Sequence, residues 1–418
     1  FPNHTAGGPL SGWLCSDGET PLFTDIAAGA ETVDGQVYLT LTFGNVGYWG
    51  DDLSVPHVNG GAYLDVCGNF FLTAFLDGTV LGAVDVKVAP YDNFHTMEEI
   101  YQSLVELVDY ANENTDLYVG YYSMGSSQGD NGLESLDMPY LIIARDQDVL
   151  TRWQALKAQA ESDPAALVDQ IERGALGDYQ VPVMYSNIHA NEVSATDGVL
   201  AFAWMLVEAA AGDGVLSYDT LTGFTAEGEA ELAAQMGPEG QEGSVAVPDL
   251  VADTATYLGY LKGENADGTT ASVSTVVDLE QYYTIETETV DVDELLDDVF
   301  FIIVPEENVE GRTYVTRTSS GGFDLNRDNS FQTQAETQNM TRLIAEWNPV
   351  SFAEFHGRVQ QFQCEPCDPP HEPNFEYDLL AEHLMAGGEA LGIAAVANND
   401  GHNSYVIPQR DYLTYTGE

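Results

Sequence analysis

The sequence predicts an α/β fold, with a mixed, mostly parallel central sheet flanked by helices and a β-rich domain ahead of it. Three observations carry that expectation. Between residues 117 and 356, apolar runs of strand length alternate with stretches of helical periodicity. Those apolar runs are continuous, as in strands covered on both faces. Residues 1–89, in contrast, hold short apolar runs punctuated by Gly and Asp-Gly and are rich in Gly, Thr, Val and aromatic residues.

Taken in order, "GQVYLTLTF" and "GGAYLDVCGNFFLTAFLDGTVLGAVDVKV" are apolar runs separated by Gly and Asp-Gly, which is antiparallel β-structure. "APYDN" marks a boundary, giving domains at 1–89 and 90–418. "TMEEIYQSLVELVDYANENT" follows, where Thr96, Glu98 and Glu99 open an amphipathic helix. Strands are expected at "LYVGYYSMG", "MPYLIIARD", "QVPVMYSNIH", "DDVFFIIVP" and "VSFAEFH", and helices at 150–173, 196–210 and 335–347. Residues 211–298 are acidic and rich in Gly and Thr, and form an insertion within the second domain.

Composition narrows the function. A chain of 418 residues with 44% hydrophobic content has the makings of a substantial globular core. It carries 68 acidic and 12 basic side chains, a net charge of -56, and its only lysines are Lys87, Lys157 and Lys262. Such a field repels nucleic acid and anionic membranes. It favours solubility, and salt or divalent cations relieve its self-repulsion. A high-salt habitat, a secreted life and calcium binding each account for it, although no specific calcium motif is present. No uninterrupted apolar run approaches the roughly 20 residues that span a bilayer. The chain begins at Phe1 without an initiator Met, as in a processed product or a fragment. Cys15, Cys67, Cys364 and Cys367 fit two disulfides in an exported protein, and a zinc ribbon would need a second Cys-x-x-Cys.

Several segments carry reactive residue types. "GSSQG" (Gly125–Gly129) fits G-x-S-x-G with Ser127 as nucleophile, but that motif needs a helix directly after it. A polar turn and another apolar run follow, so a hairpin turn is expected. "HEPNF" starts like a zincin helix, but Phe375 stands where the second His belongs and Pro373 opposes a helix. His189 and Glu192 lie three residues apart where "VPVMYS" ends. They are either a polar loop or two ligands of a metal, and a catalytic zinc takes three protein ligands plus water. In open α/β sheets the third belongs at the end of a neighbouring strand. His356 meets that requirement, because it ends "VSFAEFH" after a helix broken at Asn348-Pro349. Between these points lie Arg312, Arg317 and Arg327, three of the chain's nine arginines. Beside a metal they suit an anionic substrate group or a developing oxyanion, with surface salt bridges as the competing account.

"HANE" (189–192), "PEENVEG" (305–311), "TRTSSGGFDLNRDNS" (316–330) and "FAEFHG" (352–357) resemble, in that order, the motifs of the M14 zinc carboxypeptidases. The resemblance covers about residues 90–418, with 211–298 as an insertion. It implies one zinc per chain held by His189, Glu192 and His356, and Arg317 as the oxyanion-stabilising residue. It also implies that Asn326 and Arg327 bind the terminal carboxylate of a peptide or cell-wall peptide substrate. Asn191 replaces the family's usual Gly, which narrows the site. Val309 and Glu310 replace Pro and Asp, which is expected to alter a turn and not the chemistry. Secretion or display at the cell surface follows from the same reading.

The family also uses a carboxylate-gripping Tyr and a Glu general base on late segments. Tyr405, Tyr412 and Tyr415 are the available tyrosines, and Glu418 lacks strand context. The chain is therefore expected to continue beyond Glu418. The alternative is an exported surface or assembly protein whose M14-like domain is catalytically weak or inactive.

Overall fold

The computed structural model describes residues 23–33, 35–46, 68–76, 79–88, 94–130, 132, 134–227, 279–314 and 316–357, together with 390, 394, 397 and 398. All four cysteines, the "HEPNF" segment, Tyr405, Tyr412, Tyr415 and Glu418 lie outside these residues. The chain divides into two compact units, one of 1–213 with 293–357 and one of 214–292 with 358–418.

In the first unit, β1 (Phe23–Val33) pairs antiparallel with β2 (Gln36–Val46), and β3 (Gly68–Leu76) with β4 (Thr79–Val88). Next come α1 (Met97–Asn114), β5 (Tyr118–Ser126), β6 (Asp137–Ala144), α2 (Asp148–Ser162), α3 (Pro164–Glu172), β7 (Val181–Ser186) and α4 (Val193–Ala211). The second unit supplies an antiparallel pair, β8 (Val215–Phe224) and β9 (Tyr283–Asp291), the latter preceded by the short α5 (Leu279–Tyr282). The remaining elements are α6 (Val292–Asp298), β10 (Val299–Val304), α7 (Val309–Tyr314), α8 (Ala335–Trp347) and β11 (Ser351–Glu354).

The central sheet has the order β11-β7-β10-β6-β5. Its pairs on either side of β7 are parallel, and β10–β6 and β6–β5 are antiparallel. Helices cover both faces. Phe301 of β10 meets Phe202 of α4 at a ring separation of 5.1 Å, whereas its neighbour Phe300 meets Trp347 of α8 at 5.8 Å. Successive strand residues point to opposite faces, so α4 and α8 lie on opposite sides of the sheet. This is why β6 and β10 bury nearly every side chain instead of alternating.

Local chemistry sets the helix limits. Thr96 and Glu99 form a capping box on α1, with Thr96 N donating to Glu99 Oε2 at 2.8 Å. Met97, Ile100, Leu104, Leu107 and Ala111 form its buried stripe. The helix expected over 150–173 is two helices, because Pro164 starts α3 and Asp163 caps it by accepting from Ala166 N at 3.1 Å. Among the described residues α4 alone has the length and mean hydropathy (1.3) of a bilayer span. One face of it, with Val199, Leu200, Ala203, Leu206 and Val207, is buried, and it packs on α1, β7 and β10.

Candidate metal centre

Three strand ends share one line. Ser186, the last residue of β7, is in register with Val304 of β10 and with Glu354 of β11. The chain moves one way from β7 to β10 and then returns past β7 to β11, and crevices in open α/β sheets form at such reversals. Backbone bonds lock the exits together. Phe355 N donates to Ser186 O at 2.8 Å, Glu307 N to Asn187 O at 2.8 Å, and Asn187 Nδ2 to Phe355 O at 2.6 Å.

His189, Glu192 and His356 leave these exits and converge. Their ligand atoms all lie within 4.8 Å of one another. His189 Nδ1 is 3.0 Å from His356 Nδ1 and 3.2 Å from Glu192 Oε1, and His356 Nδ1 is 3.3 Å from Glu192 Oε2. Each ring is also held from behind. His189 Nε2 lies 3.1 Å from Asp324 Oδ1, and His356 Nε2 lies 2.7 Å from Glu354 Oε2. A neutral imidazole whose Nε2–H donates a hydrogen bond to a carboxylate turns its Nδ1 lone pair inward. The inward lone pairs of both rings and of Glu192 then repel unless a proton or a cation sits among them. Tetrahedral zinc, with ligands at about 2.0–2.1 Å, holds its donors about 3.3 Å apart, so the donor set fits that ion.

The electrostatics follow from the same contacts. Burial opposes charge on His356, but the Glu192 and Glu354 carboxylates prevail and push its pKa up to about 10. His189 is raised as well, because Asp324 and Glu192 outweigh its burial. Burial also opposes charge on Glu192 and Asp324, yet their histidine partners hold both well below the usual carboxylate range.

Arg317 joins this group. Its Nη1 donates to Glu192 Oε1 at 2.8 Å and its Nε to Asp324 Oδ2 at 2.9 Å. Asn326 and Arg327 lie in the short 3-10 turn Leu325–Arg327, which Asp324 caps by accepting from Asn326 N at 3.1 Å. Asn326 is half-buried and Arg327 is exposed. Arg312 plays a different part from the other two arginines. It is fully buried and donates to His95 O through Nη2 at 2.6 Å and Nε at 2.9 Å, and to Asp197 Oδ2 at 2.6 Å. It joins the start of α1 to the first turns of α4 and does not face an anionic ligand.

Buried acids in "PEENVEG" are the part that sequence reading missed. Glu306, Glu307, Asn308 and Glu310 are each at most 2% exposed. Burial pushes Glu306 up to about 8 against the pull of Arg312, and raises Glu307 well above the ordinary range with help from the Glu354 carboxylate. Glu310 does more than alter a turn. Its carboxylate accepts from Ser127 Oγ at 2.7 Å, Gly129 N at 2.5 Å and Ser320 N at 2.9 Å. Ser127 is thus a buried tether of the "GSSQG" turn, bonded to a carboxylate and not to an imidazole. Asn308 fixes the arginine loop by donating from Nδ2 to Arg317 O at 2.9 Å. Asp324 and Glu354, the outer partners of the histidines, were also unassigned. Glu354 was accessible in principle, since residues two apart at a strand end share a face.

No family model matches the chain, and no curated protein matches it. Solved structures that resemble it include the following two. One is described as "Putative carboxypeptidase A" from Shewanella denitrificans OS-217, 14% identical, with 77% of this chain and 55% of that chain covered and a TM-score of 0.33. The other is a metallo-carboxypeptidase from Burkholderia cenocepacia, 14% identical, with coverages of 76% and 56% and a TM-score of 0.36. The chain spans about half the length of each. At these values neither likeness bears on activity.

Proposed function

We propose that this chain is an exported zinc metallocarboxypeptidase that removes C-terminal residues from peptides, cell-wall peptides among them. The observation that carries the reading is the inward convergence of His189 Nδ1, His356 Nδ1 and the Glu192 carboxylate, each imidazole held from behind by its own carboxylate. In this reading residues 1–89 are an accessory β-rich domain and 211–298 an insertion into the peptidase domain.

His189, Glu192 and His356 hold the ion. Zinc at such a site supplies Lewis-acid polarisation of a carbonyl and a water that loses its proton near neutral pH. Arg317 presents a fixed cation beside the ligands, where charge develops on the carbonyl oxygen during attack. Asn326 and the exposed guanidinium of Arg327 receive the substrate's terminal carboxylate, and Arg327 has the fork geometry for a two-point contact.

Metal analysis of the full chain tests this directly. About one zinc per chain is expected, as for a mononuclear catalytic site. His189→Ala and His356→Ala should each lose it, and release of C-terminal amino acids should stop with a chelator and return with zinc. A wild-type chain without zinc, or cleavage indifferent to chelation, would overturn the reading.

A further inference from the structure

We propose that Glu354 is a positioning residue for the metal centre, fixing the tautomer and ring orientation of His356. The inference rests on the metal-centre reading above and adds a residue to it. His356 is the ligand least constrained by packing, since its side chain is 35% exposed whereas that of His189 is 2% exposed. It also sits past the end of β11, in a segment without regular structure. Nothing in the strand itself decides which ring nitrogen faces Glu192.

The bond from His356 Nε2 to Glu354 Oε2, at 2.7 Å, makes that decision. It assigns the proton to Nε2 and leaves Nδ1 as the inward donor, 3.0 Å from His189 Nδ1. Glu354 is well suited because it ends β11, and its backbone is fixed by the register with Ser186. Its carboxylate is 18% exposed and raises the pKa of the buried Glu307. The partner of His189 is different in kind. Asp324 divides its oxygens between His189 and Arg317, whereas Glu354 bonds to His356.

The test measures zinc affinity of the full chain by competition with a chromophoric chelator, alongside the visible spectrum of the cobalt-substituted protein. Removal of an outer carboxylate typically weakens metal affinity about 10- to 100-fold. Glu354→Gln keeps the volume, but its amide can offer an N–H to Nε2 and so favour the wrong tautomer. It is expected to weaken zinc about tenfold and to shift the cobalt bands, and Glu354→Ala to weaken zinc further. The metal-free variants lose the contact between Glu354 and His356, so both are expected to melt somewhat below the wild type, and zinc affinity is read at a temperature where both are folded. Wild-type affinity and an unchanged cobalt spectrum in both variants would overturn the positioning role while leaving the metal centre standing. A wild-type chain that takes up no zinc would instead overturn the metal centre itself.

Discussion

At the scale of single residues, the most telling group outside the ligands is Glu306. The Thr196 hydroxyl lies 2.8 Å from its Oε2 and 3.2 Å from Asn187 Oδ1, and Asn308 N donates to its Oε1 at 2.9 Å. This chain links the first turn of α4, the exit of β7 and the exit of β10, all of which carry the site. Burial raises Glu306 to about 8, so the folded state prefers the protonated acid. Its contribution is fully present below the unfolded value near 4.5 and is lost as pH rises through about 8, by up to about 1.4 kcal/mol per unit. Glu307 and Glu336 are raised too and slope the same way, so the variant should reduce the slope and not abolish it. Glu306→Gln can give an N–H to Thr196 and still accept from Asn308 N. Denaturant midpoints of this variant should therefore fall less than those of the wild type between pH 5 and pH 8, and parallel curves would count against a buried neutral Glu306. The ligands were legible because spacing at strand ends exposes them. Glu306 was not, since only tertiary packing tells a buried acid from a solvated one.

At the scale of elements, α4 and α7 place the site, and each contains a glycine that tests its packing in an opposite direction. Gly198 sits in the exposed middle of α4, where a Cβ would meet nothing within 4 Å. Alanine there lowers the entropy lost on folding, so Gly198→Ala should stabilise by about 0.5–1 kcal/mol. Gly311 lies in α7 between the Asn308 amide and the Thr316 backbone, and a Cβ would come within 2.6 Å of Thr316 O. Because backbone cannot swing aside as a long side chain can, Gly311→Ala should cost about 1–3 kcal/mol and loosen the loop that carries Arg317. Thermal melts of the two variants should move to opposite sides of the wild type, and a neutral Gly311→Ala would contradict this packing. Elements with strong end signals were read well from sequence. The helix expected over 335–347 is Ala335–Trp347, closed by Asn348 in the left-handed region with Pro349 after it. The break at Pro164 was equally visible, but the apolar periodicity running across it obscured the end of one helix and the start of another. Arg312 shows the limit. Its clustering with Arg317 and Arg327 reads as one cationic patch, yet the exit of β10 folds it under α1 and α4.

At the scale of the whole molecule, the charge of -56 is a constraint on stability. The 12 basic side chains cannot neutralise 68 acids, and several of them are already committed: Arg145 to Asp297, Lys157 to Glu161, Arg173 to Asp169, and Arg312 to Asp197. Most of the acidic charge is therefore not offset by basic side chains. The folded chain gathers the carboxylates into a smaller volume than the unfolded chain does, so their repulsion opposes folding. Screening shortens the reach of that repulsion from about 10 Å at 0.1 M salt to about 3 Å at 1 M. Melting temperature should accordingly rise with sodium chloride over this range, and magnesium should raise it further than sodium at equal ionic strength. A His189→Ala chain separates this effect from binding at the metal centre, since it should show the same salt response while losing zinc. A melting temperature that stayed flat or fell with salt in both chains would mean that the acids are spaced widely enough to leave folding unaffected. In that case the acidity would serve solubility alone.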